Sequence, residues 1–257
     1  MSRLKLNTPI IMLHHIANQP HSSLEKWCIS HEKFLELLNC IEQKGLQTTT
    51  FQEIVERKLN RSDLANKVII SFDDCPATLF DFAIPELIKR GMKAVFYMPT
   101  EHIDGVNTWD IKEYGMISVE LMNVTQLKKL VALGMEVGSH GEKHIKLDTV
   151  TYNVAYADIV NSKYTLEKLL EHPTYSFAYP YGKVPMQHEQ MLKKAGYKFG
   201  LSIYTSLESN FTLRRFAINE GDDRNAINLK LSKRYQMMRS LYDPLFLLLN
   251  KLLSKAF

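Results

Sequence analysis

Short apolar runs alternate with stretches of helical period along nearly the whole chain. Ile10–Leu13 reads as a strand. Ser30 then caps a helix whose Phe34, Leu37, Leu38 and Ile41 share one face, and Gly45 ends it. Thr50 followed by Glu53 has the form of a capping box opening a short helix. Residues 68–72 read as a strand, 79–90 as a helix stopped by Gly91, and 94–98 as the next strand. Weak periodicity over 101–120, with Gly105, Trp109 and Gly115, reads as a long loop over the top of the domain. Next come a helix over 125–133, a strand over 135–138, a long helix over 151–170 and a strand over 175–179. A helix over 185–195 and strands near 198–203 and 212–218 complete the series. Repeated β–α alternation with short connections predicts an α/β fold with a parallel sheet under helices, and seven or eight strands are enough to close a barrel.

Composition narrows the class. At 257 residues, 45% hydrophobic and 23% charged, the chain can bury a full core as one large domain. We expect that domain over 1–235 and a short apolar, basic helix over 236–257. The net charge of +4 suits an acidic partner or a membrane surface without demanding either. No Lys/Arg block interleaves with aromatics, so nucleic acid is not expected as a partner. Three cysteines, Cys28, Cys40 and Cys75, form no CxxC pair, which favours a reducing compartment. The apolar run over 9–13 is too short for a signal-peptide core, and no stretch reaches the roughly 18 apolar residues of a membrane span. The expected location is therefore cytoplasmic. In the tail, Asp243-Pro244 reads as a helix start ahead of Leu245, Phe246 and a leucine-rich run with Lys251 and Lys255. Such a helix either docks on the barrel or on another subunit, or makes peripheral contact with a membrane through residues 243–257.

Three short segments carry candidate chemistry, each just past an expected strand. Asp73-Asp74 places two carboxylates where barrel enzymes place their chemistry, although an Asp-rich turn would look the same. Gly138-Ser139-His140-Gly141-Glu142-Lys143-His144 holds two histidines four apart, which on one helical turn would reach a single cation. With a carboxylate they make a two-His, one-carboxylate set that leaves positions open for water and substrate. Tyr179-Pro180-Tyr181-Gly182 forms a tight turn whose backbone N–H groups could face a developing oxyanion. Proline has no N–H, so Tyr181 and Gly182 are the donors; a plain turn of packed aromatics is the competing reading. Trp109 and Tyr114, in the long loop, either stack on a bound ligand or pack inward.

Ser71-Phe72-Asp73-Asp74, the HxxxH of His140 and His144, and Tyr179-Pro180-Tyr181-Gly182 occur in an order and spacing that resembles the polysaccharide deacetylases of the NodB-homology type. Leu13-His14-His15-Ile16 and the segment from Phe34 to Thr50 resemble the subgroup that includes poly-N-acetylglucosamine deacetylases. The likeness runs over roughly residues 8 to 220. It implies a distorted (β/α) barrel of seven or eight strands. It also implies roles: Asp73 as general base, Asp74, His140 and His144 as metal ligands, and the Tyr181 N–H at the oxyanion. Zn²⁺ is the default for imidazole and carboxylate ligands, with Co²⁺, Ni²⁺ and Fe²⁺ also suited. The implied activity is removal of an N-acetyl group from an amino sugar of a glycan or lipid-linked glycan intermediate. The alternatives are an inactive carbohydrate-binding protein of this fold, or a hydrolase of another amide such as a formamido sugar.

The chain departs from the family pattern at several points. Many members have glycine after the aspartate doublet, where this chain has Cys75. A packed thiol is preferred there over a metal ligand. Many members have arginine two residues before the proline of the third segment, where this chain has Ala178. Arg215, in Leu213-Arg214-Arg215-Phe216, matches a late motif of the subgroup and is the candidate to neutralise Asp73; a surface arginine on a strand edge is the alternative. The usual late leucine-x-histidine motif is absent, and no histidine follows His188. The subgroup likeness then points to His14 as general acid, with His15 the weaker candidate.

Overall fold

A computed structural model describes residue 6, residues 8–205 and residues 207–253, with side chains followed through residue 246. The strands are β1 (Ile10–Leu13), β2 (His15–Ile16), β3 (Cys28–Ile29), β4 (Gln47–Thr48), β5 (Lys67–Asp73) and β6 (Val95–Met98). They continue as β7 (Glu136–Ser139), β8 (Ser176–Ala178), β9 (Phe199–Ser202), β10 (Leu213–Arg214) and β11 (Phe216–Ala217). The helices are α1 (His31–Gln43), α2 (Phe51–Glu56), α3 (Ala83–Lys89), α4 (Thr108–Tyr114) and α5 (Val124–Ala132). After them come α6 (Tyr152–Leu170), α7 (His188–Ala195), α8 (Arg224–Lys230) and α9 (Lys233–Leu253).

Eight parallel strands follow the order β10-β9-β8-β7-β6-β5-β1-β11, and β4 pairs with the start of β5. The two ends of that path are consecutive in the chain. Leu213 pairs with Leu201 of β9 and Phe216 pairs with Ile11 of β1, with Arg215 alone between the two short strands. One extended run therefore bridges both sheet edges, and the sheet nearly closes into a distorted (β/α) barrel, as expected.

Alternation along β5 decides what faces where. Val68, Ile70 and Phe72 pack outward with Phe34, Leu37, Leu38 and Ile41 of α1. Ile69 faces the interior with Ile10, Val95, Tyr97, Leu201 and Leu213. Asp73 lies on this inward row, two steps past Ser71, whose hydroxyl donates to the Ile11 carbonyl at 2.7 Å. Gly138 on β7 is required by close approach, because a Cβ there would stand 2.4 Å from the Tyr97 ring.

Away from the strand C-terminal ends, Glu136 is buried. It accepts the Gln52 N–H at 2.8 Å and the Ser176 hydroxyl at 2.8 Å. Burial pushes its carboxyl up to about 7, against the pull of these donors. A folded-state pKa raised above the unfolded one gives stability that is complete below about 4.5 and lost as pH rises through about 7. Glu136→Gln should therefore remove roughly 2–3 kcal/mol of the wild-type loss between pH 5 and pH 8. Urea melts of both proteins at the two pH values measure this, and parallel losses would refute it.

Several expectations are corrected. The helix expected over 79–90 is a 3-10 turn at Ala77–Phe80 followed by α3. Pro85 has no N–H to give, so it fits only the first helical turn, and the helix starts just before it. The segment read as a loop over 101–120 contains α4, two turns long and closed by Gly115 at φ 63°. The strand expected over 212–218 breaks at Arg215. Asp243 and Pro244 do not start a helix; both lie inside α9, which begins ten residues earlier at Lys233. The Asp243 carboxylate is instead held by Arg214 Nε at 2.7 Å and Arg239 Nε at 2.6 Å, which ties α9 to the barrel. The side chains over 247–253 and residues 254–257, which carry most of the tail's expected apolar and basic character, lie outside the described residues.

Candidate active site

The sequence-derived candidates meet at the C-terminal ends of the barrel strands. Asp73 ends β5 and Asp74 follows it, while His140 and His144 follow β7. Tyr181 follows β8, His14 lies between β1 and β2, and Arg215 interrupts the closing run. Together with Trp109 they surround one cleft of about 210 Å³, except Arg215, which lies beneath Asp73.

The backbone turns sharply to make this possible. Neighbours on a strand point opposite ways, but Asp74 and Cys75 take φ of 65° and 54°, and the Cys75 N–H donates to the Asp73 carbonyl at 2.8 Å. Both aspartates thereby face the cleft. His144 and Tyr181 are also left-handed, at 53° and 58°. Such torsions cost on the order of 1 kcal/mol each for residues with a Cβ, and four of them cluster at this one cleft. Cys75 thus adopts a left-handed backbone that glycine takes at lower cost. Its thiol is buried in the core and pushed well upward by that burial, and it is not part of the group of Asp74, His140 and His144 that could hold a metal ion.

His140 and His144 are brought together by an irregular loop and not by the helical turn expected from their spacing. Asp74 Oδ1 stands 3.3 Å from His144 Nε2 and 3.6 Å from His140 Nε2, yet it has no hydrogen-bond partner. The three ligand atoms lie within 4.8 Å of one another. His140 Nδ1 is 2.8 Å from the Ala178 carbonyl, which as sole acceptor calls for N–H on that nitrogen and turns the Nε2 lone pair to the cleft. Burial pushes His140 down to about 4, so the ring is neutral, the form that binds metal. A buried carboxylate oxygen without a donor, beside two neutral-capable imidazoles, fits a divalent cation.

Arg215 grips Asp73 with both terminal nitrogens, Nη1 to Oδ1 at 2.5 Å and Nη2 to Oδ2 at 2.7 Å. It is fully buried, so the alternative of a surface arginine is excluded. Burial alone would raise the Asp73 pKa, but the guanidinium keeps it below the usual carboxylate range. Arg214, one step along, points the other way, to Glu208 and Asp243. His14 Nε2 lies 3.9 Å from Asp73 Oδ2, and its ring is tilted against Trp27 at 5.2 Å. His15 faces away from the cleft, and burial pushes it down to about 4. In the Tyr181 turn, the Gly182 N–H is taken by the Tyr179 carbonyl at 2.9 Å, which leaves Tyr181 as the oxyanion candidate.

Trp109 packs inward, stacked on His144 at 4.2 Å, while Tyr114 stays exposed on the rim. Trp27 and Asp110 are among the cleft residues that escape sequence reasoning. Trp27, 40% exposed, forms part of the wall beside His14. Asp110 lines the cleft from α4, and burial followed by the Asp74 charge raises its carboxyl to about 6. The only signal for either was a lone aromatic or acid in segments without strong period.

An aspartate pair and a histidine pair thus stand together at the open end of a (β/α) barrel, where Asp74, His140 and His144 form a group that could hold a metal ion. The polysaccharide deacetylase family model matches residues 60–200, more than half of the chain, and the chain belongs to that family. A Staphylococcus epidermidis poly-beta-1,6-N-acetyl-D-glucosamine N-deacetylase is 24% identical over 190 residues, spanning 70% of this chain and 63% of that protein. The Streptococcus pyogenes deacetylase PplD, solved in complex with acetate, superposes with a TM-score of 0.72 at 22% identity, covering 88% of this chain and 98% of that one. IcaB from Ammonifex degensii superposes with a TM-score of 0.70 at 19% identity, over 87% and 97% of the two chains. At these identities the structural likeness speaks for the fold, and the family match speaks for a carbohydrate deacetylase.

Proposed function

We propose that the chain hydrolyses the acetamide of an N-acetylated amino sugar in a glycan, releasing acetate and a free amine. The observation that carries this is the buried, donorless Asp74 Oδ1 facing two imidazoles, directly beside an Asp73 held by Arg215. A divalent cation held by Asp74, His140 and His144, Zn²⁺ by default, would supply Lewis acidity, polarising the acetamide carbonyl and lowering the pKa of water toward about 7.

The protein's own groups do the rest. Asp73 takes the proton of the attacking water as the new C–O bond forms. Arg215 uses one lone pair on each Asp73 oxygen, which leaves Oδ2 a second lone pair for that proton. The Tyr181 N–H is the backbone donor for the negative charge that develops on the carbonyl oxygen. An amine leaves as a neutral molecule only if it is protonated as the C–N bond breaks. In this reading His14, whose Nε2 is 3.9 Å from Asp73 Oδ2, delivers that proton.

The finer expectation, a lipid-linked glycan met at the cytoplasmic membrane face, belongs to the same proposal. Its support is an exposed apolar row on α9, Met237, Leu241, Tyr242, Leu245 and Phe246, with Phe246 against Tyr204, next to the cleft residue Ile203. Among the described residues, no helix is long and apolar enough to cross a membrane. Acetate release from N-acetylated amino-sugar glycans, offered free and on anionic liposomes, tests both levels. Turnover that needs added Zn²⁺ and stops on chelation is expected, with faster turnover on liposomes. No acetate from any glycan would overturn the proposal, and equal rates on both presentations would remove its membrane part.

A further inference from the structure

Asp158 is a buried carboxylate that the chemistry above does not use. It sits on α6, 2% exposed, and touches neither the aspartate pair nor the substrate cleft. Its two oxygens are spent on the loop between the metal-binding imidazoles: Oδ2 accepts the Glu142 N–H at 3.0 Å and Oδ1 accepts the Lys143 N–H at 2.9 Å. The rest of that loop is fixed from other sides. The Gly141 N–H donates to Ser139 Oγ at 3.2 Å, and the Gly141 and Glu142 carbonyls accept N–H groups of Thr100 and Glu101 at 3.0 and 2.8 Å.

Gly141 adds an independent sign that the carboxylate's place is specific. A Cβ on Gly141 would stand 2.5 Å from Asp158 Oδ2, and the residue is at φ 80°. A side chain there and the carboxylate cannot both occupy the space. The loop is irregular, with His144 at φ 53°, so no helix holds the two imidazoles in register. Something outside the loop must do so.

We propose that Asp158 is the positioning residue of the metal centre, gripping the backbone between His140 and His144 and so setting the separation and aim of the two imidazoles. The proposal rests on the metal-centre reading given above. Groups that orient metal ligands typically change metal affinity 10–100-fold when removed. A residue that only braces α6 would change folding stability and leave metal affinity alone.

The test is Zn²⁺ affinity of the purified apo-protein, measured by competition with a chromophoric chelator, with circular dichroism confirming that each variant is folded. Asp158→Ala should bind Zn²⁺ about 10–100-fold more weakly, and Asp158→Asn, which keeps one acceptor, should fall between. Gly141→Ala should also weaken binding, because its methyl group displaces the carboxylate. Its effect should shrink when Asp158 is already alanine, so the two losses should not add. Folded Asp158→Ala and Asp158→Asn proteins that bind Zn²⁺ within about twofold of wild type would overturn the proposal. So would losses that add in the double variant. A wild-type chain that binds no Zn²⁺ is a distinct result, which removes the metal-centre reading and the proposal with it.

Discussion

Asp73→Asn is expected to lower the rate of acetate release about a thousand-fold, within the range for loss of a general base, while bound metal stays stoichiometric. The separation follows from the turn after β5. Asp73 points into the barrel onto Arg215, whereas Asp74, at φ 65°, points to the imidazoles. Asparagine keeps the shape of Asp73 and one acceptor for Arg215 but leaves that buried cation without its counter-charge, so the variant should be less stable and its turnover is read per folded molecule. The amide has no lone pair basic enough to take a proton from water. Rate assays paired with metal analysis on the same preparation give the answer. Loss of metal together with activity would mean that Asp73 is a ligand, and full activity would mean that the base lies elsewhere.

Arg215→Ala should have the largest effect on stability. It leaves the Asp73 carboxylate buried without its cation, and breaking a buried pair from one side typically costs about 3–5 kcal/mol. The substitution also removes a bulky side chain from the point where the barrel closes, its guanidinium lying 5.6 Å from the Tyr97 ring centre. Urea melts should show the loss, and turnover per folded molecule should fall as well because Asp73 is no longer fixed. A variant as stable as wild type would show that Asp73 and Arg215 are not paired in solution.

Most of the barrel was legible because its strands are short apolar runs bounded by glycines and caps, and because helices such as α1 keep a clean apolar face. The pieces that were not legible have specific causes. α4 is only two turns long, so it shows no period, and with it Asp110 was overlooked. The break at Arg215 is invisible to a strand pattern because Leu213 and Phe216 are both buried on either side of it. Asp243-Pro244 has the chemistry of a helix start, and only the long-range bond from Arg214 shows why the aspartate is inside α9.

The candidate site was readable for a different reason. Ordered short motifs name the residue types, and the family likeness implies separate tasks for Asp73 and Asp74. Sequence could not supply the geometry that makes the tasks compatible. The histidine spacing suggested a helical turn, yet the imidazoles converge through a loop held by backbone hydrogen bonds. Nor could spacing show that Ala178 offers its carbonyl to His140.

The most direct measurement is an anomalous-scattering map from crystals grown with Zn²⁺. A single strong peak within about 2.0–2.2 Å of an Asp74 oxygen, His140 Nε2 and His144 Nε2 is the predicted outcome. A peak coordinated by Cys75 or Asp73 in place of that trio, or no peak in the cleft at saturating metal, would contradict the central claim.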